Sequence, residues 1–436
     1  MVENDFPAIT DPTTVLEWGN FPPSVRNNPY PLFESLRKSG AVHLARMPKG
    51  ELIWLVIGYS EARQVLADDR FVQDARRLGG TSTSRVPNTR SGFSLDRNLL
   101  NLDPPDHTRL RRLVSAAFSE RSARLMKPFV KEACQNALAA MDPHTSADLI
   151  AEYATPVSLH TICHLLAVPA ADRELIHKWS TRIIAGTSIG DEVSYVKAVT
   201  QMADYLQDLV SERIRQRGTD IISEMISQLG HIDSEKTVDE INGMTHLMLV
   251  AGHETSINLI GNSVAVLLQD DRLRNELIED PSRVASFVEE TLRYESPIQH
   301  ATFRYAAEDT PVGNSVIPRG SPVLVVIAAA NRDEAYFPNP HTFDLRNQQA
   351  GRHLGFGHGV HFCLGAPLAR IEGISALSSL LEKYPNVRLD DGGAGLPWRP
   401  GLLHRGLDVL HVALEADGRA HRCKERVRCA KPCDGG

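Results

Sequence analysis

No apolar run in the 436-residue chain approaches the roughly 20 residues that would span a bilayer. The first residues, MVENDFPAITDP, are acidic and Pro-rich, and lack the basic and apolar stretches of an export signal. A soluble, cytoplasmic protein with no membrane association is therefore expected. Excess positive charge is also missing: the net charge of −7 argues against a polycation that coats nucleic acid. Six cysteines in a chain of this length do not make a disulfide framework. Internal repeats and flexible linkers are absent. A composition of 42% hydrophobic and 23% charged residues excludes a disordered, collagenous or coiled-coil chain.

What is present reads as mainly α with a minor β region. Asn28-Pro29 opens a helical stretch that stops at Gly40. Residues 52–57, LIWLVI, read as a strand, and Ser60 is placed to cap the helix that follows. Residues 76–98 have no period and form a long loop, a feature that is usually functional. From Asp106 to about Gln269 apolar residues recur at three and four, predicting almost continuous helix broken at 142–143, 168–169 and 186–190. Strands return over 310–330 and near 402–414. One domain over 1–414 is expected, followed by a disordered Cys/Arg-rich tail at 415–436.

The most informative segment is FGHGVHFCLGAPLAR, residues 356–370. Gly357, Gly359 and Gly365 frame Cys363, and a helical pattern starts just after it. A cysteine at a helix N-terminus has its thiolate stabilised by free N–H groups and the helix dipole. Three readings stay open from the residues alone. One is a buried structural cysteine. Another is zinc held by His353, His358, His361 and Cys363. The third is an iron porphyrin with an axial cysteine.

The pattern Phe356-Gly357-x-Gly359-x-His361-x-Cys363-x-Gly365 resembles the Cys loop of the cytochrome P450 family at every fixed position. Two further motifs support the resemblance. Glu290 and Arg293, about 70 residues upstream, match a Glu-x-x-Arg pair whose members share a helix face. Its third family partner is an Arg or His where this chain has Thr342, leaving His341 or Arg346 as substitutes. Ala251-Gly252-His253-Glu254-Thr255 matches the oxygen-binding segment on a long apolar helix.

The resemblance implies a helix-rich triangular prism with haem b between the oxygen-binding helix and the Cys-loop helix. Cys363 would be the axial iron ligand. Ala251 and Gly252 would leave room for dioxygen, and Glu254 with Thr255 would relay protons. Phe356 and Gly357 would contact the haem. His107, Arg111, Arg304 and His361 would meet its propionates. His107 and Arg111 lie four apart near a helix start, where the dipole disfavours cations unless an anion is present.

The implied reaction inserts one oxygen atom into a C–H or C=C group, consuming dioxygen, two electrons and two protons. No dinucleotide fingerprint or ferredoxin-type cysteine run occurs, so electrons from NAD(P)H would come through separate proteins, with a ferredoxin as donor. Arg109, Arg112, Arg352 and Arg370 could give that acidic partner a basic docking patch. Family positions facing the substrate carry Leu95, Ile183, Ile184, Leu247, Val250, Ile298, Thr302, Leu402 and Leu403. These imply an apolar small molecule, and the motifs look closest to actinobacterial enzymes of macrolide and polyketide tailoring. A monomer is expected. A haem-thiolate gas sensor and a zinc hydrolase are the alternatives from other classes.

Overall fold

The computed structural model describes residues 15–19, 21–79, 95, 97–141, 146–189, 192–230, 234–390 and 395–414, the side chains of 184–189 and 192 excepted. The tail expected at 415–436 lies outside them, as does most of the loop expected at 76–98.

A 34-residue helix, Glu235–Leu268, forms the centre. Ser234 caps it by accepting from the Thr237 amide. Beyond Glu240 it is buried as a helix inside a core, except for one face at His246, Leu247, Val250, Ala251, Gly252 and Thr255. Thr155–Leu165, Val284–Tyr294 and Ala366–Lys383 pack around it. Ala366–Lys383 lies in turn against Glu120–Ala140.

The β region sits to one side. A six-stranded mixed sheet runs in the order Leu16–Glu17, Val42–Arg46, Leu52–Val56, Pro322–Val325, Arg304–Ala306, Phe71–Val72. Leu52–Val56 and Pro322–Val325 pair in parallel, Leu55 opposite Leu324. Both strands are apolar runs because both sheet faces are covered. Leu55 and Leu324 join one apolar cluster, and Val56, Val323 and Val325 another.

Two expectations fail for reasons of long-range contact. The helix after LIWLVI is Tyr59–Ala67, with Gly58 at its N-cap, so Ser60 lies inside the first turn and caps nothing. Asp333, distant in sequence, accepts from the Tyr59 amide at 2.8 Å and satisfies that terminus instead. The helical stretch from Asp106 is interrupted by a strand, Ser146–Asp148, that pairs with His411–Ala413. Its short, polar sequence carries no period of its own.

Glu290 and Arg293 form the expected pair, and both are almost fully buried. The guanidinium donates to both Glu290 oxygens, at 2.8 and 2.6 Å. It also donates to the carbonyls of Asn331, Pro340 and Thr342 at 2.9–3.1 Å. Neither His341 nor Arg346 is the third partner: His341 Nε2 lies 3.9 Å from Glu34. Glu290 instead accepts from the Asp344 amide at 3.2 Å and from the Asn347 side chain at 3.1 Å. Replacing Arg293 by Met would leave a buried carboxylate without its cation and should cost about 3–5 kcal/mol. The double change Glu290→Leu with Arg293→Met should cost less. Urea denaturation of the two variants checks this; equal losses would mean the charges themselves are immaterial.

Candidate active site

The Cys loop is fixed from three sides. The Leu354 amide donates to Asn331 Oδ1 at 2.7 Å, tying the loop to the segment Arg293 holds. Gly359 has φ +74°, and a Cβ there would lie 2.6 Å from the Leu66 carbonyl oxygen. Only glycine allows both the left-handed backbone and that approach. Arg111 donates to the carbonyls of Val360 at 3.1 Å and Phe362 at 2.7 Å. The Cys363 amide donates to Phe356 at 2.8 Å, and the helix Ala366–Lys383 begins directly after the loop.

Burial raises the Cys363 thiol, while the Gly365 and Ala366 amides and the Arg111 and Arg370 guanidinium groups pull it down. The other two described cysteines differ. Cys134 and Cys163 are buried in apolar clusters, which pushes each thiol up to about 12. Neither lines the cavity described next.

That cavity, of about 500 Å³, lies between Cys363 and the central helix. Ala251, Gly252 and Thr255 line it from the helix, with Phe356, Gly357 and Cys363 on the opposite side. Gly252 has a packing reason as well: a Cβ would meet Ile162 Cδ1 at 2.9 Å. Leu95, Leu247, Val250, Ile298, Thr302 and Leu403 line the remainder. Leu402 does not; it packs against the cluster around Trp18 and Phe33. Ile183 is buried in a helical cluster instead of the cavity wall, and the Ile184 side chain lies outside the described residues.

His107, Arg111, Arg304 and His361 also line the cavity. Both ring nitrogens of His107 and the Arg304 Nε are buried without a hydrogen-bond partner. Burial, then the neighbouring His361 and Arg111, drives His107 down to about 4. Burial lowers Arg304 to about 10. Orphaned donors of this kind call for an anion. His361 is partly engaged, with Nδ1 3.2 Å from the Leu99 carbonyl and Nε2 3.9 Å from Asp103.

Glu254 and Thr255 are neighbours in sequence but face different ways, since successive helix residues are about 100° apart. Thr255 lines the cavity and donates from Oγ1 to the Ala251 carbonyl at 2.9 Å. Glu254 is buried behind the helix, 3.4 Å from Arg399 Nη1. The carboxyl group that does line the cavity is Glu372, which accepts from the Ser256 hydroxyl at 2.6 Å. Burial raises it from the ordinary 4.5 to about 8. His246 is a second lining residue that the sequence reading passed over; burial holds its imidazole down to about 4.

The four residues of the zinc reading do not gather. His353 bonds Glu289 at 3.3 Å and the Gly355 amide at 3.0 Å, and His358 lies 3.4 Å from Arg63. Two of the arginines considered for docking are also engaged. Arg370 pairs with Glu289 at 2.5 Å and Arg109 with Glu240 at 2.6 Å.

Comparison with known proteins agrees with this geometry. The Cytochrome P450 family profile matches residues 183–393. The cytochrome P450 monooxygenase PikC of Streptomyces venezuelae is 40% identical over 91% of this chain and 94% of its own length. The mycinamicin IV hydroxylase/epoxidase of Micromonospora griseorubida is 36% identical over 86% of this chain and 92% of its own. The structure of the P450 monooxygenase TamI with tirandamycin C superposes with a TM-score of 0.83, at 35% identity, covering 92% of this chain and all of that one. The chain belongs to the cytochrome P450 family and is a haem-dependent monooxygenase that uses dioxygen and external redox partners. Among the described residues no helix is long and apolar enough to cross a membrane. The residues present fit haem b: a thiol framed by amides and arginines at one wall, and unpartnered buried donors where carboxylates would sit.

Glu372 offers a pH test of this environment. Its raised value favours the protonated acid in the folded state, so that stability is complete below about pH 4.5 and is lost as pH rises through 8. Glu372→Gln cannot ionise and should escape the loss, on the order of 5 kcal/mol across the window. Urea denaturation of both proteins at a series of pH values checks this. Parallel stability–pH curves would exclude a buried acid here.

Proposed function

We propose that this monooxygenase hydroxylates or epoxidises an apolar natural product of the polyketide class, with Cys363 as the residue whose thiolate would hold the haem iron. The observation that carries the reading is one cavity shared by Cys363, Thr255 and a largely aliphatic wall. The substrate class rests on that wall and on relatives named for mycinamicin IV and tirandamycin C. His246, neutral and partly exposed to the cavity, would meet a polar group on the substrate.

When bound, haem supplies the activation of dioxygen, and thiolate ligation favours O–O cleavage. His107, Arg304 and His361 would hold its propionates. Arg111, whose two terminal nitrogens go to loop carbonyls, would chiefly orient the Cys loop and offset the thiolate charge. Thr255 would hold a proton at Oγ1 and deliver it by rotating away from Ala251. Glu254 would refill the relay from the far side of the helix, and Glu372 through Ser256 from the near side.

An acidic ferredoxin is the proposed electron donor, docking on the Cys-loop face as a partner to a monomer. With Arg109 and Arg370 paired internally, exposed Arg112 and Arg352 would provide its positive charge. Val360 and Phe362, exposed on the loop, would supply apolar contact.

Two substitutions test the assignment. Cys363→Ala should abolish the red-shifted Soret band of the reduced carbon monoxide complex, whereas Cys134→Ala and Cys163→Ala should keep it. Loss in either of the latter with retention in the former would move the ligand elsewhere. Thr255→Ala should bind haem and substrate normally while its reducing equivalents leave as hydrogen peroxide. Product formation should fall by about two to four orders of magnitude, the usual worth of a positioned proton donor. Measuring peroxide and product per electron pair checks this, and unchanged coupling would exclude the hydroxyl as a relay.

A further inference from the structure

Behind the central helix, outside the cavity wall, His177, His253 and Glu254 bring one ligand atom each within 4.8 Å of one another. His253 and Glu254 are adjacent on the central helix, and His177 comes from Arg173–Ile189, which packs across it. Their polar atoms are conspicuously idle. His177 Nδ1, His253 Nε2 and Glu254 Oε1 are all buried without a hydrogen-bond partner. His253 and Glu254 are 0% and 2% exposed, so water has little access to make up the deficit.

The free edge of His253 has a defined chemistry. Its Nδ1 lies 2.6 Å from the Leu249 carbonyl, which can only accept. The proton therefore sits on Nδ1, and Nε2 presents a lone pair toward Glu254 Oε1, 3.9 Å away. Two acceptors facing each other repel unless a proton or a cation lies between them. A cation would relieve this, and an imidazole whose other nitrogen donates to a backbone carbonyl is the usual arrangement of a metal-ligating histidine.

We propose that His177, His253 and Glu254 form a site for a zinc-class divalent ion, with water as a fourth ligand. Two imidazole nitrogens and one carboxylate oxygen suit zinc, and a donor separation of about 3.4 Å, which tetrahedral bonds of about 2.1 Å require, needs only a small closure of the side chains. Arg399 occupies the other Glu254 oxygen at 3.4 Å and opposes a second cation, but it has Asp408 at 3.5 Å as an alternative partner. The bound ion would clamp Arg173–Ile189 onto the central helix beside Thr255 and tie up the Glu254 carboxylate.

The test uses the full-length haem-loaded protein with Cys423, Cys429 and Cys433 changed to Ser, so that tail thiols do not compete. Equilibrium dialysis against zinc chloride with elemental analysis should find one equivalent per chain. His177→Ala should bind at least about 10-fold more weakly, since even outer-shell losses cost about 10–100-fold in metal affinity. His164→Ala, whose ring stacks on Phe129 elsewhere, should bind as the parent does. Arg399→Gln should bind more tightly, because it removes the competing charge. His177→Ala carries the decision should the more deeply buried His253→Ala fail to fold. No zinc retained by the parent, or equal retention by parent and His177→Ala, overturns the site.

Discussion

Placing a guanidinium and a carboxylate together in an interior where neither meets water is the constraint on which the rest of the active site depends. Coulomb attraction alone does not offset the desolvation of Glu290 and Arg293; every remaining donor and acceptor must also be met. Three carbonyls between Asn331 and Thr342 meet the guanidinium, and the Asp344 amide and Asn347 side chain meet the carboxylate. These partners lie on one irregular segment. A segment without secondary structure is thereby given a single conformation by hydrogen bonds to a helix. Asn331 passes that order on, because its Oδ1 holds the Leu354 amide at the start of the Cys loop.

The loop itself is then specified by backbone geometry more than by side chains. Gly359 lies where a Cβ would run into Leu66, and a Cβ on Gly355 would lie 2.9 Å from the Leu292 carbonyl oxygen. The loop is pressed on one side against Tyr59–Ala67 and on the other against the helix that bears Glu290. Arg111 closes it by taking two of its carbonyls from a third direction. Such a loop has few alternative conformations, and with buried Leu354 and Phe356 anchoring its start the Cys363 side chain is held at the cavity wall.

How much of this was legible follows from where the determining contacts lie in sequence. Cys363, Thr255, Glu290 and Arg293 could be read because each belongs to a short motif whose spacing is itself the requirement. The strand Leu52–Val56 was legible as an unbroken apolar run, and the central helix because apolar residues recur along its length. Asn347, Asp333 and Arg399 left no local trace; they act 57, 274 and 145 residues from their partners. Leu402 was misassigned beside Leu403, which does line the cavity, because the chain bends there and Leu402 turns into the cluster around Trp18 and Phe33. Glu372 was missed because a glutamate in a helical pattern normally reads as surface, and only its burial against Ser256 marks it.

Glu254 and Glu372 also show that adjacency in sequence does not decide which acid lines the cavity. Glu254 lies behind the helix, 3.4 Å from the Arg399 guanidinium. Glu372 has no cation, only hydroxyls, and burial raises it to about 8, so near neutral pH it keeps its proton. At rest Thr255 gives its own hydrogen to Ala251, leaving its oxygen lone pairs free. A hydroxyl in that state must receive a proton before it can give one without leaving its helix bond. Glu372, which lines the cavity and is joined to the neighbouring residue Ser256, would be the better placed source; Glu254, behind the helix, would need water to reach the cavity.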